Sequence, residues 1–267
     1  MKTVLATILL AAFALNASAH EYWLEPDSFF PIPNQMTGVH LFVGEALKRE
    51  EERVYQGAKT TSFQLFGPTG IFDLRPLADE DKSPILKFSS DKPGTFLFSM
   101  ERDAAYITLD PAKFEDYLRD EGMSYIVAER NRLGESTKDG RERYSRYIKM
   151  LLQVGDGQSG IVKNRVNSRL EIVPLDNPYS KKPGQTMELQ VWFDKRPLAK
   201  YTIFADSREG DKIVTQKLTT DEDGKADLKL TSKGSWLVRL VVMKRCEKRC
   251  ENADWESFWG ALSFGVR

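Results

Sequence analysis

Asp91-Lys92-Pro93-Gly94-Thr95-Phe96-Leu97-Phe98 decides the fold class, because a proline-glycine turn feeds straight into a run of β-branched and aromatic residues. Bulky side chains crowd both faces of that run, so both need cover. The same grammar repeats on either side. Residues 22–24, 39–43, 62–66, 85–88, 95–100 and 106–109 read as strands, with Pro31-Ile32-Pro33-Asn34 and Gly67-Pro68-Thr69-Gly70 as turns between them. Several short strands at this spacing predict an immunoglobulin-like β-sandwich.

The texture then changes. Asp110-Pro111 is a helix start, an acceptor at the N-cap followed by proline at the first helical position, and Phe114, Tyr117 and Leu118 share one face before Gly122. A second helix is predicted over 123–133. A third is predicted over 141–153, where Tyr144, Tyr147 or Ile148, Leu151 and Leu152 keep helical spacing and Arg141, Arg143, Arg146 and Lys149 form a solvated face. Gly155-Asp156-Gly157-Gln158-Ser159-Gly160 is a polar joint and the expected domain boundary. Beyond it, 169–173, 187–193, 201–204, 213–217, 226–230 and 236–243 read as strands, the last long and apolar enough to be central. Asp221-Glu222-Asp223-Gly224 lacks the later glutamate of an EF-hand and reads as a hairpin turn. The expectation is a mainly β protein of two β-sandwich domains, 20–155 with a helical insert at 110–153, and 161–267.

The amino terminus points to export. Lys2, an apolar run over 4–15, and small residues at Ala17 and Ala19 make a secretory signal peptide (1–19) cleaved after Ala19. The mature chain then starts at His20, whose α-amine and imidazole form a bidentate nitrogen chelate suited to copper, nickel or zinc. No later run approaches the ~20 apolar residues of a spanning helix, so no membrane span is expected after leader removal. Lysine plus arginine and aspartate plus glutamate are both 39, which gives no argument for nucleic acid. Cys246 and Cys250 are the two cysteines, and in an oxidising compartment an isolated close pair is expected to form a disulfide.

His20-Glu21-Tyr22-Trp23-Leu24-Glu25-Pro26, Phe42-Val43-Gly44-Glu45 and Tyr106-Ile107-Thr108-Leu109-Asp110 carry a family resemblance, joined by Arg141-Glu142-Arg143-Tyr144-Ser145-Arg146-Tyr147 and Asp254-Trp255-Glu256-Ser257-Phe258-Trp259. The chain resembles the exported bacterial proteins called DUF4198, also described as NikM-like or as periplasmic components of cobalt and nickel uptake. That resemblance implies transition-metal handling and a membrane uptake system as partner. Phe193-Asp194-Lys195-Arg196-Pro197-Leu198 and the stretch from Thr220 to Ala226 are similar to transthyretin-like repeats, which makes the second sandwich transthyretin-like. Where many members have L-V-H-M, this chain has Leu240-Val241-Val242-Met243, so one candidate histidine ligand is missing.

His20 and His40 are the only histidines. If 22–24 and 39–43 pair as a hairpin with indices summing to about 66, His20 lies near Glu45 and His40 near Pro26, which separates the imidazoles by ~20 Å. Glu45 is then the better second ligand for His20. His40 falls on the face opposite Val39 and Leu41, as a polar satisfied residue or a ligand. No G-x-S-x-G elbow, H-E-x-x-H pair or phosphate-cradling loop is present, and the sequence leans away from an enzyme. The function expected is periplasmic binding of a transition-metal ion (Cu, Ni or Co) at His20, His40 and Glu45, or assistance to its uptake. The alternative is a non-metal interaction module of the cell envelope.

Overall fold

The computed structural model describes residues 20–157 and 159–267. The expected leader and its cleavage site therefore lie outside the described residues. The chain opens with β1 (Glu21–Pro26), β2 (Thr37–Gly44), β3 (Glu51–Arg53), β4 (Thr60–Gly67) and β5 (Gly70–Asp73). β6 (Leu86–Phe88) and the long β7 (Gly94–Leu109) follow, then α1 (Pro111–Asp120), α2 (Ser124–Arg132) and β8 (Gly140–Val154). The second half adds β9 (Leu170–Pro174), β10 (Thr186–Phe193), β11 (Arg196–Pro197), β12 (Thr202–Glu209), β13 (Lys212–Thr219), β14 (Lys225–Lys229), β15 (Gly234–Arg245) and β16 (Trp255–Val266). The fold is mainly β, with strands making up 51% of the chain.

Eight strands form one sheet in the order β13-β12-β15-β16-β8-β7-β4-β5. Two four-stranded sheets cover it. β1, β2, β3 and β6 make one, whose Trp23, Leu24, Val39 and Leu41 pack with Phe96, Phe98, Met100, Ile148, Met150 and Leu152. β9, β10, β11 and β14 make the other, whose Ile172, Leu189, Val191 and Leu228 pack with Leu97, Leu151, Trp236, Val238, Phe258 and Leu262. Neighbouring residues of one strand enter different cores, as Phe96 and Leu97 do, so the two small sheets lie on opposite faces of the large one.

The structure corrects the helix expected over 141–153. This segment is β8, antiparallel to β7 and parallel to β16. Its apolar run satisfies a helical spacing and an alternating one equally well, and long-range pairing on both edges decides for the strand. Ile148, Met150 and Leu152 enter one core and Leu151 the other. The helical insert is thus confined to α1 and α2. There Asp110 caps α1, accepting from the Lys113 amide at 3.0 Å, and Gly122 ends it at φ +75°. Phe114, Tyr117 and Leu118 bury together and, with Ile126 and Val127, pack on Val241, Met243, Trp255 and Trp259.

The segment over 155–160 joins strands without dividing sheets, since strands from both sides of it share the eight-stranded sheet. β15 is central, as expected, between β12 and β16. Cys246 and Cys250 are disulfide-bonded in the loop that connects β15 to β16. Among the described residues, no helix is long and apolar enough to cross a membrane.

Candidate functional site

β1 lies across β8 and β16, which places the start of the described residues over the middle of the large sheet. β1 and β2 pair antiparallel with Glu21 opposite Gly44 and Glu25 opposite His40, one residue away from the expected register. His20 and Glu45 therefore sit just beyond the same end of the ladder, while His40 lies towards the other. Glu45 is exposed. The carboxylate that His20 meets is instead Glu50, with Nε2 3.3 Å from Oε2.

His40 is fully engaged elsewhere. Its Nδ1 is 2.5 Å from Glu52 and its Nε2 2.8 Å from Asp27, so both ring nitrogens are taken. Partial burial works against its charge, but the two carboxylates prevail and hold its pKa above the ordinary value. Asp27 and Glu52 are held low in return: burial opposes the effect at Asp27, where the Gly38 amide and His40 outweigh it, and at Glu52 the Ser83 and His40 hydrogen bonds lead. A ring gripped by carboxylates from both sides is a structural clamp, and the structure does not bring it to His20.

Beside His20 opens a cleft of about 150 Å³, walled by Tyr22, Val43, Ile107, Tyr144 and Trp259. Arg53, Glu142 and Arg146 supply its remaining charge. The Arg146 guanidinium lies 3.8 Å from the Tyr22 ring centre and 4.5 Å from that of Tyr144. Its Nε is sealed from solvent without a hydrogen-bond partner, as is Nη1 of Arg102, whose guanidinium stands 5.7 Å from Tyr22. Glu142 is 1% exposed. One of its oxygens accepts from Tyr117 and Ser257, whereas Oε2 has no partner. Burial pushes its pKa up to about 7 against the hydrogen bonds that lower it.

Behind the cleft, Arg239 serves three buried acids. Its Nη1 is 2.6 Å from Glu21 and 3.1 Å from Glu121, and its Nε is 2.7 Å from Asp206. Burial raises Glu21 to about 8 and Glu121 to about 7, although Arg239 pulls both down and the neighbouring acids push them up. One cation cannot neutralise three carboxylates, so protons complete the balance.

Among the described residues, no three His, Cys, Asp or Glu side chains converge as a metal cluster. Arg146, Glu142, Tyr144 and Trp259 were not legible as a site because they lie on two strands far apart in sequence. The one available signal was the crowding of tyrosine and arginine in 143–147 and of tryptophan in 255–259, segments that β8 and β16 set side by side.

Residues 17–244 match a family profile, and the chain belongs to the family described as "Domain of unknown function (DUF4198)". No curated protein matches the chain. Among solved structures, dimeric latent PorU from Porphyromonas gingivalis is similar at 8% identity and TM-score 0.20, covering 97% of this chain and 21% of that one. Three N-terminal domains of the bacteriophage RB49 highly immunogenic outer capsid protein (Hoc) are similar at 7% identity and TM-score 0.19, covering 91% of this chain and 59% of that one. The chain thus spans less than two thirds of either.

Proposed function

We propose that the protein is exported to the periplasm, that its mature chain begins at His20, and that this terminus binds a transition-metal ion, Cu, Ni or Co, for handling or delivery to a membrane uptake system. The observation that supports this reading is the setting of His20, at the lip of a cleft with its Nε2 3.3 Å from Glu50. Once Ala19 is removed, the α-amine and Nδ1 can close a six-membered chelate. Nε2–H then donates to Glu50, which fixes the tautomer as an outer carboxylate does for metal-binding histidines. Glu50, and not the expected ligand Glu45, is the carboxylate beside His20, and it acts on the imidazole rather than on the metal. A chelate that uses the backbone amine does not need three converging side chains.

The test compares mature protein with a variant carrying one extra residue ahead of His20. Copper is the probe because it is the strongest divalent competitor. Intact mass of periplasmic protein is expected to show a start at His20. The extra residue puts an amide between the amine and the imidazole and is expected to change the Cu(II) electron-paramagnetic-resonance spectrum, while His20→Ala, which removes the imidazole from the chelate, is expected to weaken binding by about tenfold or more. Glu50→Gln is expected to weaken binding by a smaller factor, while Glu45→Gln and His40→Ala leave it unchanged. A copper spectrum that ignores the added residue, or an affinity that ignores His20→Ala, would reject the terminal site. A second reading, an envelope interaction module, is favoured by the exposed Ile71 and Phe72 on edge strand β5 and becomes first choice in that event.

A further inference from the structure

We propose that the cleft between Tyr22, Tyr144, Arg146 and Trp259 binds a small aromatic carboxylate, with the ligand ring against the apolar walls and its carboxylate on the Arg146 guanidinium. His20 lines the lip of the same cleft, but none of these four residues is a proposed metal ligand, so the inference does not rest on the metal reading.

Charge is the first ground. Arg146 and Arg53, the latter paired with Glu51 at 2.8 Å, line the cleft, and Arg102 stands beside it on the same tyrosine. Burial lowers the pKa of Arg102, and the neighbouring Arg146 and Arg53 charges lower it further. Cations gathered this closely are stabilised by an anion that reaches them. Most arginines of this chain have found one internally: Arg141 pairs with Asp254 at 2.7 Å, Arg245 with Glu135 at 2.8 Å and Arg239 with three acids. Arg146 and Arg102 instead keep sealed donors without partners, which carries a cost in the free protein.

Glu142, the acid of the cleft, does not answer that need. Its pKa near 7 leaves the carboxyl largely protonated below neutrality, so it cancels little positive charge. Its Oε2 is sealed from solvent without a partner, so it takes up no donor of the cleft. Arg146 on its own strand, Tyr117 from α1 and Ser257 from β16 are the groups that face this carboxyl.

Shape is the second ground. Tyr22 and Tyr144 place their rings 3.8 and 4.5 Å from the guanidinium carbon, contacts that use none of its N–H donors, and a carboxylate edge is the group that pairs with such donors. A volume of about 150 Å³ matches a cavity that admits benzene. Val43, Ile107 and Trp259 extend the walls with apolar surface that a bare inorganic anion would leave wet.

The experiment is calorimetric titration of the metal-free mature chain with benzoate, its neutral isostere benzamide, and inorganic phosphate at constant ionic strength. Benzoate is expected to bind saturably, and benzamide and phosphate at least about tenfold more weakly, the factor one charge-assisted contact supplies. Arg146→Gln is expected to remove the same factor for benzoate. Should that variant fail to fold, the benzoate-to-benzamide ratio on the unaltered protein still decides. No saturable benzoate binding, equal affinity for benzamide, or tighter binding of phosphate overturns the proposal. The titration contains no metal, so its outcome does not depend on whether copper binds at His20, and failure of the metal site and failure of this one are read separately.

Discussion

Arg239 shows at the scale of one residue how burial sets chemistry. Glu21, at the head of β1, has 4% of its surface exposed, and it, Glu121 and Asp206 share the one guanidinium. An acid whose pKa is raised on folding stabilises the native state fully below its unfolded value near 4.5, and that contribution is lost as pH rises through the folded value. For Glu121 and Glu21 the window therefore runs from about 4.5 to between 7 and 8. Urea unfolding near pH 5 and near pH 8.5 is expected to show Glu121→Gln losing less stability across this interval than the unaltered protein. Comparison within one background cancels the depressed acids Asp27 and Glu52, which act at lower pH. Arg239→Met is expected to cost about 3–5 kcal/mol, since it strands buried acids without their cation. Equal pH slopes for the unaltered protein and Glu121→Gln would contradict the raised value.

Among the elements, β8 ties the layers together. Lys149, 3% exposed, reaches from it to Glu171 and the Ile172 carbonyl of β9, each at 3.0 Å. Burial lowers the pKa of this lysine and Glu171 counteracts the effect. Lys149→Met leaves Glu171 with the Val166 amide at 2.7 Å and, as its one cation, Arg165 at 3.5 Å, and a loss of about 3–5 kcal/mol is expected. Adding Glu171→Leu is expected to recover part of that loss, a coupling that denaturant titration of the single and double variants measures. If the double variant loses the sum of the two single effects, the pair does not act as a unit. The same strand explains why an arginine-rich helix looked plausible: Arg143 and Arg146 do not face water along a helix but point outward from a strand, Arg143 to Glu256 and Arg146 into the cleft.

For the whole molecule the governing fact is the shared sheet. β8 from the first half pairs along its length with β16 from the second, and β7 closes its other edge. Neither half can present a finished sheet without the other, so unfolding is expected to be a single cooperative transition. Tryptophan fluorescence and far-ultraviolet circular dichroism should trace one coincident curve, and a chain ended after Val154 should not fold. Two separated transitions, or a folded 20–154 fragment, would show that the halves are independent domains.

Local chemistry was enough for much of this protein. Turn residues and β-branched runs placed β1, β2, β4, β6, β7, β9, β10 and β12 to β15, Asp110-Pro111 placed α1, and the spacing of Cys246 and Cys250 anticipated their bond. These features depend on neighbours in the chain, which is why they were readable. β8 was not, because its apolar run fits helix and strand alike until a partner strand arrives, and β3, β5, β11 and β16 had no strand reading. The cleft is a product of that pairing: Tyr22, Arg146 and Trp259 come from three distant segments. His40 was legible as a polar exception on β2, yet only tertiary contacts with Asp27 and Glu52 made it a clamp. Sequence fixes which groups are available, and the long-range register of strands decides which of them meet.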